Sequence, residues 1–252
     1  GHLAGAGIDV VEREPLDVEA LRRHPRVLLS PHSAYYSAEG YLEMRSKGAE
    51  APTTPALGAF LEGASIEVMP RTAEKIASFA EILPAGTRVY VAHIEGTPID
   101  DMVATARRIT DEGFAVMPHI PARIIEDRVE LETWLKRYRT EAGVAQALVL
   151  AGGVAKPVGA FESSIDLLQT GLFDDLGFKR LHVAGHPEGN KDIDHKGGSV
   201  EVDKALIWKQ DFAKNSDADF AIATQFAFES APIIAWAERL AAMGLTLPIH
   251  LG

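Results

Sequence analysis

The chain has 252 residues, 46% of them hydrophobic and 24% charged, with a formal net charge of -11 and no cysteine. That length allows one large α/β domain or two small ones, and the balance is that of an ordinary globule, not a disordered or fibrous chain. The acidic charge argues against a nucleic-acid footprint, which needs clustered Lys and Arg, and the missing cysteine excludes disulfides, thiolate metal sites and thiol catalysis.

Taken in chain order, residues 1–50 give two short strands, AGIDVV and RVLLSPH, with DVEALRRHP between them and a polar helical stretch, SAEGYLEMRSKGAE, after them. APTTPALG, residues 51–58, carries two prolines and reads as a linker. From about residue 64 a strand–helix rhythm begins. Its apolar or alternating runs are ASIEVMP (64–70), RVYVAHI (88–94), FAVMPHI (114–120), QALVLAGG (146–153), RLHVAGH (180–186), FAIATQF (220–226) and LPIHLG (247–252). Helical patterns fill most gaps. In the second gap Thr97 is the expected cap, Pro98 suits the first turn and Asp100 favours the N-terminal dipole. Met102, Val103, Ala106 and Ile109 then share one helical face, as do Ile233, Ile234, Ala237, Leu240 and Ala241 after Ser230.

Strands alternating with helices imply a parallel sheet with helical crossovers. Seven strands suggest an α/β fold of the (β/α)8 TIM-barrel type, truncated after strand 7, with a short α/β N-terminal extension. The expected domains are an extension over residues 1–50, a linker over 51–60 and a barrel over 61–252. No apolar run reaches the roughly 20 residues of a membrane helix, and no signal peptide is evident. The expectation is a cytoplasmic protein. The chain opens on Gly1-His2 without Met and stops at a strand, so its natural ends are expected to lie elsewhere.

Two groups of residues carry chemistry. Glu14 before Pro15 and His32 after Pro31 each read alone as loop features. Together, LAGAGIDVVEREPLD…ALRRHPRVLLSPHSA resembles the end of the nucleotide-binding domain of D-2-hydroxyacid dehydrogenases. The resemblance implies His32 as acid/base, Glu14 as the carboxylate that orients it, and Asp9 near a nicotinamide. A carboxylate on one imidazole nitrogen raises the basicity of the other, which suits that work. Gly5-Ala6-Gly7 is not that family's phosphate turn, because it leads into a strand instead of following one. The segment is therefore a remnant, not expected to hold NAD in that family's way.

The second group lies in the barrel. Glu67 sits inside the apolar strand SIEVMP, so it must be paired, protonated or at the barrel mouth. A structural ion pair is its plain alternative. His93, His119, Gly152-Gly153, His186 and Gln225 stand at the ends of later strands, where barrel enzymes build their sites. His93, His119 and His186 could alternatively meet as imidazole ligands of a hydrolase metal, although the first strand lacks H-x-H.

SIEVMPRT, PHIPAR, VLAGG, AGHPEGNKD and ATQFAFE make residues 61–252 resemble the methylenetetrahydrofolate reductase family. The resemblance implies reduction of 5,10-methylenetetrahydrofolate to 5-methyltetrahydrofolate, a step of one-carbon metabolism and methionine biosynthesis, with FAD carrying hydride from NAD(P)H. It implies Glu67 as general acid and Gln225 as the pterin-binding amide. A carboxyl group in an apolar strand should have a raised pKa, which suits an acid at neutral pH. The implied FAD contacts are His93, His119, Leu150, Gly152, Gly153, Ala184, His186 and Lys214, and no metal is implied. Where that family has Arg-Gly-Asp, this chain has Ala151-Gly152-Gly153, which permits a flavin-free variant. The expected partner is a small-molecule folate, with no nucleic acid or membrane, and a homo-oligomer is left open. The non-enzymatic alternative is a truncated barrel that binds folate or flavin without turnover.

Overall fold

The computed structural model describes the strand backbones 6–8 and 27–29 together with residues 63–195, 197–226 and 230–252. Asp9, Glu14, His32, the helical stretch after His32 and the proline-rich linker lie outside the described residues. The chain divides into two compact units, Gly1–Ala64 with Arg71–Ile82, and Ser65–Pro70 with Leu83–Gly252. In the first, β1 (Ala6–Ile8) pairs in parallel with β2 (Val27–Leu29), within the two runs read as strands.

The second unit is built on a seven-stranded parallel sheet in strict sequence order: β3 (Ser65–Val68), β4 (Arg88–Val91), β5 (Ala115–Pro121), β6 (Gln146–Leu150), β7 (Arg180–Gly185), β8 (Asp219–Thr224) and β9 (Ile249–His250). Each expected run overlaps one strand, with Pro121 and Asp219 lying one residue outside their runs. One helical turn, α1 (Pro70–Ala73), follows β3. The longer crossovers carry α2 (Ile99–Asp111), α3 (Arg128–Ala142), α4 (Ser164–Gln169), α5 (Leu172–Asp175), α6 (Val200–Ala213) and α7 (Ser230–Ala242). Parallel neighbours in sequence order, each reached by a helical return, are the (β/α) barrel-type arrangement.

Parallel strands are buried on both faces. Val89, Val91, Val149, Leu181, Val183 and Ile222 are fully buried. They alternate with a second set, Tyr90, Met117 and Leu148, which packs with Leu150 and Ala223 into the inner cluster. On α2 the buried residues are Met102, Val103, Ala106 and Ile109, the face read from the sequence. Its start differs from expectation: Pro98, not Thr97, occupies the cap position, and no side chain caps it. Proline brings its own fixed φ and no N–H, so it can sit at a helix entry without a capping oxygen. On α7 the buried residues are Trp236 and Leu240, while Ile234 is exposed. The indole decides which face of this alanine-rich helix turns inward, because it buries the largest area.

Candidate active site

The register places the site. Glu67 of β3 pairs with Tyr90 of β4, and Tyr90 with Met117 of β5. Side chains alternate along a strand, so His119, two residues beyond Met117, faces the same way. It pairs in turn with Leu148 of β6, and Leu148 with His182 of β7. Glu67, Tyr90, His119, Leu148 and His182 thus share the inner face.

At the C-terminal side of that face His119 Nε2 lies 3.0 Å from Glu67 Oε2. The approach is off the line of a ring N–H, so this is a close carboxylate–imidazole pair and not an aligned hydrogen bond. The His119 side chain is 13% exposed and that of Glu67 is 37% exposed. Glu67 is therefore not sealed among apolar groups, and the desolvation that the sequence reading relied on is modest. What the strand supplies instead is a partner able to exchange a proton.

A second pair stands at the ends of β7 and β8. His186 Nδ1 lies 3.2 Å from Gln225 Oε1, and the Gln225 backbone N–H donates to the Gly185 carbonyl. Burial holds the His186 imidazole below its ordinary pKa; the Gln225 bond opposes this, and nearby Lys209 adds to it. A neutral His186 donates from Nδ1 to the Gln225 carbonyl, which leaves the amide NH2 free to donate to a ligand.

Gly152 and Gly153 follow β6. Gly152 has φ +94°, and a side chain there would crowd Pro121, with 3.1 Å between the two Cβ atoms. Its glycine is required by the backbone. At Gly153 an added Cβ would meet nothing within 4 Å. Arg123 braces this loop through the carbonyls of Val154 and Glu162. Leu150 is half-buried against the inner cluster, and Ala184 is half-buried beside its register partner Ala223.

Two expected contacts lie elsewhere. His93 stacks on Trp134 of α3 at 5.0 Å and its Nε2 meets the Thr97 carbonyl, so its ring belongs to the helical layer. Burial lowers its pKa. Lys214 ends α6 and pairs with Asp211 at 2.6 Å, in the solvent. A crossover helix returns to the N-terminal ends of the strands, so Lys214 lies at the far end from Glu67. The lysine whose charge reaches His186 is Lys209, five residues earlier on the sheet-facing row Val202, Leu206, Lys209. It is nearly fully buried, and burial pushes it down to about 8. That row has helical spacing in the sequence and was readable there.

Among the described residues no three His, Cys, Asp or Glu side chains gather as metal ligands. His93, His119 and His186 are instead engaged with Trp134, Glu67 and Gln225.

The fold and site define an α/β protein of the (β/α) barrel type with an acid–imidazole pair and an amide–imidazole pair at its strand ends. No family model matches the chain. Among solved structures it is similar to the intracellular xylanase TsXylA from Thermoanaerobacterium saccharolyticum JW/SL-YS485, with a TM-score of 0.42 and 11% identity over 77% of this chain and 74% of that one. It is similar also to a mandelate racemase/muconate lactonizing enzyme from Bordetella bronchiseptica RB50, with a TM-score of 0.42 and 12% identity over 87% of this chain and 67% of that one. Neither is a methylenetetrahydrofolate reductase.

Proposed function

We propose that the barrel unit reduces 5,10-methylenetetrahydrofolate to 5-methyltetrahydrofolate with hydride from NAD(P)H. The observation that carries this reading is the Glu67–His119 pair, 3.0 Å apart on the inner face. The motifs SIEVMP and ATQF support it by their resemblance to the reductase family. In this reaction the methylene C–N10 bond breaks, N10 takes a proton, and hydride adds to the iminium carbon left on N5. Glu67 supplies the proton, and His119 returns one to it between turnovers. Gln225, fixed by His186, presents its amide to the pterin, whose donor and acceptor edge it matches.

The residues also suit FAD. Gly153 leaves open space, Ala184 and Ala223 are small, and His186 is a polar group one residue beyond β7. When bound, FAD would accept hydride from NAD(P)H and pass it to the folate. The chain's own part would be to seat the ring against Gly153 and Ala184 and to offer the Nε2 of the neutral His186 as an acceptor.

The test is Glu67→Gln. It should abolish folate reduction yet leave FAD binding, read as quenching of flavin fluorescence, unchanged. Full folate turnover in Glu67→Gln would overturn the assignment. His32→Ala should leave folate reduction as it is.

A further inference from the structure

Arg88, Gln146 and Arg180 each open a strand, and the register turns all three to the inner face. Arg88 Nε donates to Gln146 Oε1 at 3.1 Å, passing over the small Ala115 that is its register partner. Gln146 pairs with Arg180. Tyr90 stands next to Arg88, and its Oη lies 2.6 Å from His182 Nδ1. His182 stacks on His250 of β9, with ring centroids 4.8 Å apart.

Glu67, the register partner of Tyr90, brings one carboxylate toward this cluster, and its guanidinium groups have little negative charge besides. Among the described residues no carboxylate pairs with Arg88, and Arg180 has only Asp219, 3.7 Å away with its side chain 83% exposed. Burial, and then the nearby Arg180, hold Arg88 below its ordinary pKa. His182 is fully buried and neutral, pushed down to about 3 by burial, then by His250, Arg88 and Arg180. A phenol O–H is a more acidic donor than a neutral imidazole N–H, so Tyr90 Oη donates to His182 Nδ1. The remaining ring proton is then on His182 Nε2, a buried atom with no partner. A chain of net charge -11 has thus gathered two guanidinium groups and an unused buried donor on one inner face.

We propose that Arg88, Arg180 and His182 Nε2, with His250 stacked beside His182, bind a small phosphate-class oxyanion within the barrel sheet, toward the strand starts that the two arginines occupy. Guanidinium groups grip tetrahedral oxyanions with paired N–H donors, and the anion would satisfy the orphan imidazole donor at the same time. This site is independent of the folate reading.

The test uses the full chain and inorganic phosphate as probe, with chloride at matched ionic strength as reference. Phosphate should raise Tm saturably. Arg88→Gln and Arg180→Gln should each weaken its apparent affinity at least about tenfold, the loss of one charge-assisted contact. Arg107→Gln, on an exposed ion pair of α2, should not. If Arg88→Gln fails to fold, Arg180→Gln carries the test, because its side chain is 41% exposed. A response no greater than that to chloride would overturn the proposal. So would a phosphate response that survives in Arg180→Gln, or one lost in Lys209→Met instead.

Discussion

His119 Nε2 sits 3.0 Å from Glu67 Oε2, and two parallel register steps, Glu67 to Tyr90 and Tyr90 to Met117, bring them together. If the pair exchanges a proton during turnover, removing the imidazole must alter the pH profile and not only the rate. His119→Leu is expected to lower kcat for folate reduction by about 10²-fold and to move the profile of kcat/KM. A lowered rate with an unmoved profile would reduce His119 to packing.

Lys209 gives a second prediction, with a definite sign. Its folded pKa of about 8 lies below the ordinary lysine value of 10.5, so the unfolded chain binds more protons between those limits. Stability therefore rises with pH across that window, and the cost of burying the ammonium is fully present below pH 8. Lys209→Met should stabilise the ligand-free chain by about 3 kcal/mol at pH 7, from roughly 1.4 kcal/mol per pKa unit. The gain should shrink as pH climbs from 8 toward 10.5. Urea denaturation at the two ends of the window measures it, and an equal gain at both would contradict the buried ammonium.

The strands were legible because parallel strands buried on both faces read as short apolar runs, and RVYVAHI and QALVLAGG each hold one. The candidate site was legible only as separate strand ends. That Glu67 meets His119 while His93 turns to Trp134 depends on register and on how α3 packs, and neither is local. Tyr90 and His182 were hidden for a related reason. Inside an apolar run a polar residue reads as an interruption, whereas here the two satisfy each other across the inner face. Lys214 was named from the sequence and Lys209 missed, although the spacing Val202, Leu206, Lys209 already placed Lys209 on the side of α6 that faces the sheet.

His182 gives a third prediction, in the acid range. Its folded pKa of about 3 lies below the ordinary histidine value of 6.5, so the unfolded chain takes up the proton first as pH falls. Stability should be lost progressively from about pH 6.5 down toward 3. His182→Phe removes that uptake and should flatten the acid limb. At neutral pH it should cost about 1 kcal/mol for the Tyr90 bond. An acid limb equally steep in both proteins would assign the loss to other groups.

The fourth prediction concerns how α6 and α7 are joined. Asp203 is buried, and Arg239 of α7 reaches it with Nε at 2.7 Å and a second nitrogen at 3.3 Å. Ser199, just before α6, donates to the same carboxylate at 3.0 Å. Removing the carboxylate strands the guanidinium and a hydroxyl, whereas removing the arginine strands a nearly buried anion. Arg239 is 40% exposed and Asp203 only 5%, so water can take up the guanidinium more readily than the carboxylate. Breaking a buried pair costs about 3–5 kcal/mol when the remaining charge stays buried. Arg239→Met should therefore reach about 3 kcal/mol, and Asp203→Asn, which keeps one acceptor for Ser199, should cost less. Chemical denaturation of the two variants gives the order directly. The reverse order would mean that the carboxylate owes its stability to Ser199 and the helix start rather than to Arg239.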